Sequence, residues 1–171
     1  YAGAPLRLRI YLGLVVLLAV ALPILLHNEA APAPQRSPWL TFALLALVSA
    51  VNVEAGRVLG GGLARSQQPH KALSAWAFAA GLLLPPPWLL LVVPITYAHA
   101  RWRGLRVPLW KWVGSASYLV LAGLAAGLMA HEVFGSGPDG ANWMNGNGGH
   151  GLVSILAAGL TFLVVESVLF A

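Results

Sequence analysis

What most constrains this chain is a series of apolar runs as long as a lipid bilayer is thick. Leu8 to Leu26, Trp39 to Leu59 and Gly151 to Ala171 are each of spanning length. At about 1.5 Å of rise per residue, roughly 20 helical residues cross a hydrocarbon core of roughly 30 Å. Lipid offers no hydrogen bonds, so every backbone N–H and C=O in such a run must be satisfied within its own segment, which selects helices. Only 9% of the 171 residues are charged and 58% are hydrophobic, whereas soluble domains carry about 25% charged residues. These observations predict an all-α, polytopic membrane helical bundle. Val113 to Ala130 is a further span, rich in Gly and Ala, and such small residues favour close helix packing.

The segment between the second and fourth spans has a different character. Leu73 to Leu84 and Trp88 to His99 are each about 12 residues, joined by Pro85-Pro86-Pro87. Helices of about 18 Å do not comfortably span alone. Arg65 and Lys71 precede the pair, and Arg101, Arg103 and Arg106 follow it. A Pro-tipped helical hairpin entering and leaving on one face explains length and charge together, and gives about six membrane segments in all. Arg101 to Lys111, with Trp102 and Trp110 among its cations, reads as an amphipathic stretch in the interface. His27 to Pro38, with Pro32 and Pro34, and the Gly- and Asn-rich stretch His131 to Gly149 read as loops. Gly60-Gly61-Gly62 ends the second span.

Arg7 and Arg9 at the start of the first run give it the look of a secretion signal, yet the run is of spanning length and Pro23-Ile24-Leu25-Leu26 offers no small-residue cleavage site. A first membrane helix is expected. With the N-terminus inside, nine of the ten Lys and Arg fall on one side and only Arg36 lies outside. The positive-inside rule then places both termini in the cytoplasm of a multi-pass protein of the cell (inner or plasma) membrane. The formal charge of +5 is accordingly read as topology and contact with lipid headgroups, not as nucleic-acid binding.

The sequence has no Cys, which excludes thiol chemistry and thiolate metal sites within it. It also contains no P-loop, GxSxG or HExxH pattern, so no catalytic residue is expected here. Ionisable residues inside membrane spans are the natural candidates, because lipid makes them costly. Glu54 and Glu166 qualify, at similar depth, and could face one polar site. Asn52, Glu54 and Arg57 cluster on the second span, with Glu54 and Arg57 spaced i, i+3 for pairing. His70, His99 and Arg101 flank the hairpin among Trp and Tyr, where they could meet an anionic headgroup or a cytoplasmic domain. His27, Glu29, His131, Glu132, Asp139 and His150 offer metal-binding chemistry at the other surface, but without dense ligand spacing. No metal and no cofactor are expected in this chain.

The runs Asn52-Val53-Glu54-Ala55-Gly56-Arg57, Pro69-His70-Lys71-Ala72-Leu73-Ser74-Ala75-Trp76 and Tyr97-Ala98-His99-Ala100-Arg101-Trp102-Arg103-Gly104 carry a family resemblance. In texture the chain resembles the N-terminal integral membrane region of actinobacterial GGDEF-type signalling proteins. That resemblance implies a sensor or anchoring domain, a homodimer, and a cytoplasmic diguanylate cyclase domain that makes cyclic di-GMP from GTP with Mg. No GGDEF motif occurs in these 171 residues. The chain opens at Tyr1 without Met and stops at Ala171 inside an apolar run, so an output domain is expected beyond 171. Two alternatives suit the same composition. One is a small-molecule binding subunit of an energy-coupling-factor transporter, with a cavity lined from the Gly137 to His150 loop. The other is an accessory subunit of a larger membrane complex.

Overall fold

The computed structural model describes residues 6–27, 37–59, 71–103, 108–134 and 148–170. Six helices account for nearly all of them: α1 (Leu6–Leu25), α2 (Pro38–Leu59), α3 (Lys71–Leu83), α4 (Leu89–Trp102), α5 (Leu109–Phe134) and α6 (Gly148–Phe170). Among the described residues there is no strand, and the fold is an all-α bundle. α1, α2, α5 and α6 are each long and apolar enough to cross a membrane.

The helix boundaries follow from local chemistry. Pro38 takes the first helical position of α2, where its missing N–H has no helical partner to lose. Ser37 closes that turn by accepting from Leu40 N at 2.9 Å. Between α3 and α4, Leu84 N still bonds Ala80 O at 3.0 Å, and three prolines then break the helix. Pro85 is extended (φ −55°, ψ 145°), Pro86–Trp88 form one 3-10 turn, and Trp88 N returns to Pro85 O at 3.0 Å. The expected hairpin is therefore present.

Two expectations need correction. Arg101 to Lys111 is not one interfacial element: Arg101 and Trp102 close the last turn of α4, whereas Trp110 and Lys111 belong to the first turn of α5. Residues 104–107 lie outside the described residues. The helix also reaches further than expected into the 131–149 segment, for α5 runs to Phe134 and α6 begins at Gly148.

Long α5 is the central and most covered of the spanning helices. α1 packs on it through Leu12, whose Cδ2 would stand 3.1 Å from a Cβ at Gly114, and through the Tyr11 and Tyr118 rings, 6.4 Å apart. α3 meets α5 at backbone distance. Gly81 faces the Gly123 carbonyl, and a Cβ on Gly123 would lie 2.7 Å from Ala77 O. Ala77-x-x-x-Gly81 on α3 thus interlocks with Gly123-x-x-x-Gly127 on α5, the close approach that small residues allow in lipid. α6 covers another side of α5 and reaches α3 through the Phe78 and Phe162 rings (5.5 Å, nearly perpendicular).

α2 sits outermost, against the hairpin. It runs parallel to α4 in constant register: Trp39 and Phe42 surround Trp88 at one end (centroids 4.6 and 5.4 Å), and Glu54 meets Arg103 at the other. Both Trp39 to Glu54 and Trp88 to Arg103 advance fifteen residues, about 22 Å of helix. The hairpin tip consequently stands level with the first turn of α2.

These contacts place the starts of α1, α3 and α5 and the ends of α2, α4 and α6 at one end of the bundle. Every Lys or Arg within a described segment (Arg7, Arg9, Arg57, Lys71, Arg101, Arg103 and Lys111) belongs to that end. The outer faces of α1, α2 and α6 are apolar and exposed, from Leu14 and Leu18 through Leu44 and Val51 to Leu160 and Val164. Exposed apolar faces of this extent do not suit water. They suit lipid, and the protein is a membrane protein.

Candidate functional site

At the basic end, α2 and α4 bring together a cluster of charged and titratable side chains. His99 and Arg103 are four residues apart, so both lie on the α4 face turned to α2, whereas Arg101 between them points away and is exposed. Glu54 projects from α2 into that pair. Arg103 Nη2 donates to Glu54 Oε2 at 2.6 Å while Nε lies against Oε1, giving a side-on bidentate ion pair. His99 Nε2 stands 3.6 Å from the same Oε1. The Trp102 ring packs against both neighbours, 5.8 Å from the His99 ring and 5.2 Å from the Arg103 guanidinium. That second contact has cation–π geometry.

Hydrogen bonding to Glu54, together with its charge, raises the Arg103 pKa further above its already high ordinary value. A raised pKa stabilises the fold below the unfolded-state value and loses that contribution only in strong alkali. Titration of Arg103 therefore adds no pH dependence near neutrality.

One and a half turns deeper, a second polar link joins the same helices. Ser49 donates its hydroxyl hydrogen to Thr96 Oγ1 at 3.3 Å, and Thr96 passes its own to Val92 O at 2.8 Å. Both side chains are buried. Replacing Thr96 with Val removes both bonds while keeping the shape. We expect a modest loss, about 0.6 and at most about 2 kcal/mol, since hydrogen bonds between membrane helices are worth that much. Reversible unfolding in mixed micelles, run as a double-mutant cycle with Ser49→Ala, measures it.

The chain has no match among family models, curated proteins or solved structures. Its chemistry is therefore read from its own residues.

On the far side of α4, Tyr97 faces α5 and α6. Its ring meets Trp112 edge-on at 5.9 Å, and its hydroxyl lies beside Ser115 and within the field of Glu166. Neither that hydroxyl nor Trp112 Nε1 makes a hydrogen bond of normal geometry among the described residues. Glu166 follows Ser154, Ala158 and Phe162 along the covered stripe of α6.

The sequence candidates are thus distributed in distinct places. Glu54 and His99 come together, joined by Arg103. Glu166 lies in the same half of the bundle, with α4 standing between it and Glu54. Asn52 and Arg101 are exposed, on the outer face of α2 and the outer side of α4. Arg57 is in α2, but its side chain lies outside the described residues, as do His70 and most of the Gly137 to His150 loop. Among the described residues no three His, Asp or Glu side chains group closely enough to hold a metal; Glu29 and Asp139 are outside them.

Sequence reasoning noticed Arg103 only as a basic flank and as one member of the run Tyr97 to Gly104. The signal that could have singled it out is its i, i+4 spacing from His99, on a helix whose other face is apolar. Ser49 and Thr96 gave less warning, since isolated hydroxyl residues are common in membrane helices.

Proposed function

We propose that this chain is the membrane sensor and anchoring domain of a signalling protein, and that it regulates a cytoplasmic output domain of the diguanylate cyclase type. The observation that carries the sensing part is the way α2 is held. Its Ser49–Thr96 hydrogen bond and its Glu54–Arg103 ion pair both go to α4, the ion pair lying at the basic end. Polar contacts of this kind have discrete made and broken states, which a two-state element requires. By the positive-inside rule the basic end is cytoplasmic, and α6 ends there too, in position to pass a helix movement to an attached domain. The output chemistry rests on the sequence resemblance, as does assembly as a homodimer.

The test uses the natural gene product that carries these residues. Deleting 6–170 should release the protein from the membrane fraction and change the cyclic di-GMP content of the cells. A deletion that leaves both unaltered overturns the proposal. A fluorescent reporter fused after Phe170 should report a cytoplasmic position; an external position removes the basis for coupling at that end.

A further inference from the structure

We infer that two copies of this chain associate through the exposed face of α2, with the Asn52 side chains hydrogen-bonded to each other across a two-fold axis. The inference rests on membrane embedding alone, not on any signalling output. Asn52 is exposed on the outer face of α2 and belongs to its spanning segment. The apolar face does not end at this residue: Val48 and Val51 are exposed before it, and Ala55 and Val58 after it, Val58 by 74%. Asn52 is therefore a polar side chain within a lipid-facing stripe rather than the beginning of a polar surface.

A primary amide left to lipid has two N–H donors and a carbonyl acceptor without partners, an arrangement that hydrocarbon penalises. The same group is self-complementary. Two amides related by a two-fold axis each donate to the other's oxygen, as an isologous interface demands. The surrounding residues fit that contact. Val48, Asn52 and Ala55 recur at intervals of four and three, the 3.5-residue period of a left-handed helix pair, and Leu44, Val51 and Val58 flank them. All six are exposed. A lone Asn in such a seam also selects register, because any slip separates the two amides. α2 is suited to this role by its position, since it packs on the hairpin from outside and its opposite side is left uncovered by the other described residues.

The absence of Cys from these 171 residues makes the test direct once any Cys elsewhere in the full-length protein is replaced. In native membranes holding the full-length protein, single cysteines placed at Val48 or Ala55 should cross-link on mild oxidation into a species of twice the chain mass. Cysteines at Leu17 on α1 and Leu160 on α6, equally exposed to lipid, should not. Asn52→Leu, a substitution on the outer face that spares the packed interior, should weaken association measured by energy transfer between labelled copies. The expected loss is about 3- to 30-fold, the range for one interhelical hydrogen bond in a membrane. Cross-links confined to α1 or α6 overturn the inference. So do α2 cross-links only to a partner of different mass, or association that Asn52→Leu leaves unchanged. None of these outcomes depends on cyclic di-GMP, so this inference and the proposed function can fail separately.

Discussion

Gly81→Val is expected to disrupt the bundle as a whole, lowering its stability by about 3 kcal/mol or more. Added methylenes in a packed interior typically cost about 1–3 kcal/mol when neighbouring side chains can shift. At Gly81 the nearest obstacle is the backbone carbonyl of Gly123, and a Cβ there would overlap it. No rotamer relieves a clash with main chain, so α3 and α5 must separate along the whole interlocked stretch from Ala77 to Gly127. Gly123→Val and Gly127→Val should behave alike, since each would drive a Cβ into the carbonyl of Ala77 or Gly81. The control is Gly13→Val. Nothing lies within 4 Å of a Cβ at Gly13, which faces outward on α1. That variant should match the parent in thermal unfolding in mild detergent, while the three interior variants yield mainly aggregated protein. Equal tolerance at Gly13 and Gly81 would show that the α3–α5 contact is not the one described.

The second large effect concerns Glu54 and Arg103. Removing either charge takes from its part-buried partner the closest counter-charge, so Glu54→Gln and Arg103→Gln should each destabilise the α2–α4 contact more than the neutral double variant does. Restoring opposite charges in exchanged positions, Glu54→Arg with Arg103→Glu, should recover most of the loss. Arg103→Lys should recover less of it, because an ammonium cannot reproduce the side-on bidentate contact. Unfolding midpoints of the set, measured in one detergent, decide the matter. Equal losses in single and double variants would mean that the two charges do not depend on each other.

Much of the architecture was legible in the sequence because the membrane acts on segments one at a time. A run such as Leu8 to Leu26 must be helical whatever surrounds it, and Pro85-Pro86-Pro87 must interrupt a helix wherever it falls. The Gly and Ala content of the fourth span likewise announced close packing, and α5 is indeed the central helix. The candidate polar residues were less legible. Glu54 stood out by its cost in lipid, but its cationic partner did not. Arg57 is close in sequence and Arg101 lies in a conspicuous Trp-flanked cluster, yet the guanidinium on Glu54 belongs to Arg103, forty-nine residues away. Tyr97 drew notice only as part of a motif, and its position beside Ser115 and Glu166 depends on three helices at once.

By itself, then, the sequence determined what each segment had to be: helix or break, lipid-facing or small enough to pack, rich in cations at one end. Those properties depend on local spacing and on the solvent, and both are written along the chain. Only the tertiary structure decided which helices touch and in what register. The parallel alignment of α2 with α4 places Trp39 on Trp88 and Glu54 on Arg103, and the interlock of Gly81 with Gly123 sets α3 against α5. Such pairings arise from the fit of one helix surface to another. A displacement of one residue turns a helix by about 100° and presents a different face, so composition alone does not select them.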